Sequence, residues 1–209
     1  GELFPKFLTP DYTEFITKVL EIEPDAVWCP LWGGDAVNFI RQALPTKLFE
    51  KVKFVFPVAG ALEVLVPLGK DMPTGVYVSS RYFFTSPDSS LNHRFVKDYY
   101  ARYNEYPDYM AGETHAGVYF IKAAIERAGT TEADKIIAAV EKEPLAWETP
   151  EGWKVLQPAD HSVVEDCLWG ETAYNQKYGF AIPSSFESIQ GEEIGRTAEE
   201  LKNVREEFK

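Results

Sequence analysis

Residues 28–43 read WCPLWGGDAVNFIRQA, an apolar run that halts at two glycines and an acid and then resumes with helical spacing. Counted from Ala26, the run Ala26-Val27-Trp28-Cys29-Pro30-Leu31 has strand length and no alternation, the pattern of a strand covered on both faces. Pro30 suits that strand's end. Gly33-Gly34 turns the chain, Asp35 reads as a helix cap, and Val37, Phe39, Ile40 and Ala43 supply the buried side of the helix that follows. A strand that ends in glycines and feeds a helix is how an open α/β sheet builds a ligand crevice, which places Trp32 and Gly33 at a candidate site. The plainer reading is a tight turn with the indole folded onto its own helix.

Working outward, the same alternation continues on both sides. Thr9-Pro10 predicts a helix over 10–21 with Phe15, Ile16, Val19 and Leu20 as its stripe. Lys53–Pro57 predicts a second buried strand, 61–66 a short helix and 75–79 a third strand. Ser86-Pro87 repeats the cap-plus-proline signal before a helix to about 104, carried by Leu91, Phe95, Val96, Tyr99 and Tyr103. Helices over 110–128, stopped by Gly129, and from Thr131 through Val140 complete the middle. Helix and strand in alternation with short links predict an α/β fold with a parallel sheet. From Glu151 the character changes to short strands at 152–156, 163–169 and 178–182, read as antiparallel. Thr197-Ala198-Glu199-Glu200 is a capping box before a stripe of Leu201, Val204 and Phe208.

Composition narrows the function. The chain has 209 residues, 45% hydrophobic, with 21 Lys plus Arg against 33 Asp plus Glu and a formal net charge of -12. That charge repels phosphate backbones, so no nucleic-acid partner is expected. The glycine pair matches neither G-x-G-x-x-G nor G-x-x-x-x-G-K-[ST], and no H-E-x-x-H or G-x-S-x-G is present. His93, His115 and His161 lack metal-ligand spacing, and Cys29 and Cys167 form no C-x-x-C. Two free thiols or one disulfide are both open. Asp160-His161 reads as an acid beside a base, but neighbouring residues point apart and no nucleophile stands near. No catalytic residue, metal or cofactor is therefore expected. Tyr82-Phe83-Phe84, after the third strand, is more apolar than a solvated loop needs and should be covered by a ligand, a hinge or another piece of protein.

Several stretches occur together in a definite order: Asp11-Tyr12-Thr13 through Ala26-Val27, Gly33-Gly34-Asp35-Ala36, Phe95-Val96 with Tyr99, Arg102-Tyr103 and Pro107, Ala123 to Gly129, and Asp160-His161. In that order the chain resembles, over most of 9–185, the later half of type I periplasmic binding proteins, the branched-chain amino-acid receptor group of ABC importers. The resemblance implies two three-layer α/β/α lobes joined by crossing strands, of which this chain is a C-terminal fragment. Residues 1–76 and 162–209 would belong to the second lobe and 77–161, mainly helices, to the first. It implies a binding protein, periplasmic or extracellular and possibly lipid-anchored through a missing N-terminus, that clamps a small-molecule solute by domain closure and passes it to permease subunits. A sensor domain of the same fold is the alternative, and a flavodoxin-like enzyme a more distant one.

The second-lobe wall would come from Leu31-Trp32-Gly33 and from Val58, Ala59 and Gly60, with Tyr82, Phe84 and Thr114 across the cleft. Receptors for amino acids place an acid in the second loop, whereas here Glu63 is the nearest. An amino acid-like solute, an aromatic or aliphatic carboxylate or an amide is the expected class. The helices at 90–104, 110–128 and 131–140 carry more apolar surface than their own strands can cover, so the missing N-terminal half, or a second copy, is expected to complete them.

Overall fold

The computed structural model describes residues 1–207. In chain order the elements begin with α1 (Thr13–Ile22), β1 (Ala26–Trp28), α2 (Gly33–Ala43), α3 (Leu48–Lys51), β2 (Lys53–Phe56), α4 (Leu62–Leu68) and β3 (Tyr77–Ser80). There follow α5 (Ser90–Tyr103), α6 (Tyr109–Ala128), α7 (Ala133–Val140), β4 (Leu145–Thr149), β5 (Gly152–Leu156) and β6 (Val163–Val164). The last are β7 (Cys167–Asn175), β8 (Phe180–Pro183), β9 (Glu187–Ile189), α8 (Gly191–Ile194) and α9 (Ala198–Glu207). The chain forms two compact units: residues 1–80 with 168–187, and residues 81–167 with 188–209. These junctions differ from the expected 76/77 and 161/162, and the C-terminal helices group with the middle of the chain.

In the first unit the strands run in the order β1-β2-β3-β7-β8, with β9 on β7 off that path. β1, β2 and β3 are parallel, and β7 and β8 join antiparallel. The parallel start and the antiparallel return were both legible in the sequence. Phe54, Phe56 and Val78 point to the buried face, where Phe39 of α2 and Phe49 of α3 close on them with ring centroids 4.9–6.4 Å apart. Edge-to-face and tilted rings at these distances add attraction beyond the area they bury.

The opposite row, Trp28–Val55–Tyr77–Glu171, follows the strand register across the sheet and faces solvent, Trp28 being 63% exposed. The expectation that β1 is covered on both faces is thus corrected. It is a three-residue edge strand, and only its alternate residue Val27 turns inward.

Three helix starts also differ from the sequence reading, two of them because the capping group is used elsewhere. α1 starts at Thr13, not at Pro10. Thr9 Oγ1 donates to Lys6 O, the Pro10 carbonyl accepts from Gln42 Nε2, and Asp11 Oδ1 takes the Thr13 amide at 2.8 Å. α5 starts at Ser90 with Ser89, not Ser86, as its cap, accepting from the Asn92 amide at 3.1 Å. Asp35 does not cap α2: its Oδ2 accepts the Leu8 amide at 3.0 Å and ties the N-terminal segment down.

In the second unit α6 and α7 pack on the antiparallel sheet β4-β5-β6. Ala124, Val140, Leu145, Trp147 and Leu156 form the core, and Trp147 Nε1 donates to Ala116 O at 3.0 Å. β4, which the sequence reading left out, alternates buried and exposed residues throughout. Gly129 ends α6 in the left-handed region, as read. The capping box before α9 is present in both directions, Glu200 amide to Thr197 Oγ1 and Thr197 amide to Glu200 Oε2. Phe208, the last residue of its expected stripe, lies outside the described residues.

Candidate functional site

In the first unit two loops leave the carboxyl ends of neighbouring parallel strands, which is where an open α/β sheet places its ligand. After β1 the chain reaches Trp32, extended in backbone and 47% exposed, the residue that precedes α2. Its carbonyl accepts from the Asp35 and Ala36 amides, so the first turn of α2 closes on it while the indole stays at the surface. Gly33 adopts φ +54, a left-handed conformation in which a side chain would be strained.

After β2, Val58 is 40% exposed, whereas Ala59 and Gly60 are buried. Gly60 is packed rather than open: a Cβ there would lie 2.5 Å from the Ser79 carbonyl oxygen of β3. The starts of the two helices that follow these loops approach each other, because a Cβ on Gly33 would come 3.9 Å from Glu63 Oε1 in the first turn of α4. The acid that seemed displaced along the sequence therefore stands where those two starts approach. Glu63 is the second residue of α4, which begins at Leu62, and its carboxylate lies toward the start of α2.

The three residues expected across the cleft belong to the second unit and behave differently. Tyr82 and Phe84 are buried at 1% and 4% exposure, so their rings are core and need no ligand to cover them. Tyr82 Oη donates to Asn92 Oδ1 at 2.8 Å, Asn92 Nδ2 donates to the Phe84 and Pro87 carbonyls, and Phe84 stacks on Tyr106 at 4.4 Å. Asn92 was missed as the anchor of this loop because a single Asn inside a helical stripe carries no pattern. Thr114 is exposed on α6, its hydroxyl donating to the Met110 carbonyl.

The remaining reactive side chains are occupied locally. Asp160 accepts from the Ser162 amide and hydroxyl, and His161 meets Glu141 at 3.0 Å. His93 pairs with Asp88, and His115 stacks on Tyr119 at 4.4 Å with burial lowering its pKa. Both thiols are free, and burial pushes Cys29 up to about 11, which makes it a poor nucleophile. Among the described residues, Glu113, Glu151 and Glu165 come within 4.8 Å of one another, a spacing suited to a cation. The cation there is the chain's own: Lys154 Nζ contacts Glu165 Oε2 and lies 2.5 Å from Glu151 Oε2.

The family model for periplasmic binding proteins matches residues 1–174, and the chain belongs to that family. Solved structures agree on the fold. A leucine-, isoleucine-, valine-, threonine- and alanine-binding protein from Brucella ovis in its closed conformation superposes with TM-score 0.76 at 19% identity, over 93% of this chain and 50% of that one. An amino acid ABC transporter substrate-binding protein from Pseudomonas fluorescens Pf-5 gives 0.75 at 24% identity, over 88% and 50%. A solute-binding protein of an ABC transporter from Rhodopseudomonas palustris BisB5, in complex with 3,4-dihydroxy benzoic acid, gives 0.71 at 22%, over 87% and 49%. No curated protein matches in sequence. The fold is that of a type I periplasmic binding protein, and the chain spans about half the length of the solved structures it matches. Among the described residues no helix is long and apolar enough to cross a membrane.

Proposed function

We propose that this chain supplies one wall of the binding site of an ABC-importer solute receptor, which captures a small organic solute by closure of two lobes and carries out no covalent chemistry. The observation that supports it is the half-exposed indole of Trp32 at the carboxyl end of the parallel sheet, beside a second strand-end loop whose exposed residue is also apolar. An indole held at a helix N-terminus offers a flat apolar surface next to backbone amides, a pairing that suits a carboxylate carried on an apolar body. The Glu63 carboxylate adds an acceptor for an ammonium or amide N–H, so amino acid-like solutes, aromatic or aliphatic carboxylates and amides all belong to the class. The solved relatives span both chemistries, amino acids in one group and hydroxylated benzoic acids in another.

Delivery to permease subunits and a periplasmic or extracellular location, with a lipid anchor upstream, are part of the same proposal. So is completion by an N-terminal half. The exposed face of α6, with Met110, Val118 and Ile121 each at least 50% exposed, supports it because apolar side chains in such a stripe are normally covered.

The test is calorimetric titration of the full-length receptor and its Trp32→Ala variant with leucine, benzoate and 4-hydroxybenzoate. Loss of the indole is expected to weaken the bound solute about tenfold or more, roughly 1.4 kcal/mol, with little change in thermal stability since the ring is half exposed. Unchanged affinity for every solute that binds the parent would remove Trp32 from the site.

A further inference from the structure

The carboxylate cluster of the second unit includes residues close in sequence to the points where the chain passes between units. The chain passes between units after Ser80, after Cys167 and after Glu187. Arg81, the first residue after the first passage, pairs with Glu113 Oε1 of α6 at 3.1 Å. Glu165, just before the second, is bound by Lys154 of β5. Its neighbour Asp166 accepts from Ser188 Oγ at 3.1 Å and from the Gly191 amide at 3.0 Å, just beyond the third.

The charges in this network do not balance. Glu113, Glu151 and Glu165 face two cations, Lys154 and Arg81, so one negative charge is in excess when all are ionised. Arg81 is half exposed and its help is screened. The burden falls on Glu151, whose side chain is 2% exposed against 31% for Glu113 and 23% for Glu165. Both Glu151 oxygens are buried, and the donor beside them is the Lys154 ammonium, 2.5 Å from Oε2 and shared with Glu165. Gly112 of α6 closes the other side so tightly that a Cβ there would collide with Glu151 Oε1 and with the Tyr82 ring. A buried carboxylate whose one ammonium is shared with a second carboxylate is costly when charged, and a proton relieves that cost.

We propose that Glu113, Glu151, Glu165 and Lys154 form a proton-binding site that takes up one proton on Glu151 and thereby sets how firmly the segment leaving the second unit at Glu165 is held. With Glu151 neutral, Lys154 is left to Glu165 alone. With Glu151 ionised, one ammonium is divided between two carboxylates and the hold on Glu165 weakens. The titratable and charged groups facing Glu151 are Lys154 on β5, Glu113 on α6 with Arg81 behind it, Glu165 at the end of β6, and Tyr82 after β3. Burial raises the Glu151 pKa, Lys154 pulls it down in part, and Glu113 and Glu165 raise it again, to about 7. Burial lowers Lys154, but Glu151 and Glu165 overcome that and hold the ammonium above its ordinary value.

A folded-state carboxyl raised above its unfolded value stabilises below that unfolded value, and the contribution is lost as pH rises through the folded one, here about 7. The experiment compares the protein with Glu151→Gln, which keeps the shape and removes the charge, at pH 6 and pH 8. Expected for the parent are a Tm lower by about 3–5 °C at pH 8 and faster hydrogen exchange in peptides covering 163–168 after correction for intrinsic rates. In Glu151→Gln both differences should vanish, and equal pH slopes in the two proteins would overturn the proposal. Should the variant fail to fold, carbon-13 titration of the glutamate carboxyls in the parent decides. One glutamate with a midpoint near 7 supports it, and all glutamates titrating below about pH 6 overturns it.

Discussion

The two units solve the problem of burial with opposite materials. The first joins parallel strands over a cluster of phenyl rings, Phe39, Phe49, Phe54 and Phe56, and its close approaches are backbone to backbone, as at Gly60 and Ser79. The second places Trp147 and Leu156 in a smaller core and, beside it, encloses an ammonium among three carboxylates, while α6 leaves an apolar face outward. An apolar core has the same energy at any pH, whereas a buried ionic one has energy only in particular protonation states. Stability of the unit presenting Trp32 is therefore expected to vary less with pH than that of the unit with the cluster.

The sharpest way to break this contrast is a matched pair of substitutions read by urea unfolding at pH 5 and pH 8. Phe54→Ala should cost about 3–5 kcal/mol, equally at both values. Lys154→Met should cost about 3–5 kcal/mol as well, but chiefly at pH 8, because without the ammonium the buried Glu151 is tolerated only when protonated. Equal losses for Lys154→Met at both values would erase the distinction. A smaller effect, about 1–3 kcal/mol, is expected for Gly60→Ala, whose new methyl meets the Ser79 carbonyl and not a side chain that could rotate away; a neutral outcome by thermal denaturation would show that the strand ends can part. Smallest is the cap of α5. Ser89→Ala should lose about 1 kcal/mol and Ser86→Ala almost nothing, and the reverse order in circular-dichroism melts would return the cap to the serine that the sequence favoured.

That last pair shows where sequence reading stops. Proline after a small hydroxyl residue is a sound helix signal at both Thr9-Pro10 and Ser86-Pro87, yet neither begins a helix. Both segments are held by partners far along the chain or by the loop itself, Asn38 and Gln42 in the first case and Asn92 in the second. In the candidate site the same limit appears. The place of Trp32 and Gly33 between a strand end and a helix was legible because a strand, two glycines and a helix follow one another locally. What covers Tyr82 and Phe84 was not legible, because a run of rings reads alike whether a ligand or protein covers it; here Phe95 of α5 packs on Tyr82 and Tyr106 stacks on Phe84. The approach of Glu63 to Gly33 was not legible, because spacing along the chain does not say which way the first turn of α4 faces.

By itself, then, the sequence determined the α/β alternation, the parallel first strands and antiparallel return, the helix faces, and the ring and glycines at the strand end, since each depends on residues only a few positions apart. Only the tertiary structure decided that Glu63 meets Gly33, that Asp35 secures Leu8, and that Glu113, Glu151 and Glu165 converge on Lys154. Those contacts join positions remote in sequence, and their energy depends on burial and on the company of other charges, which no local pattern encodes.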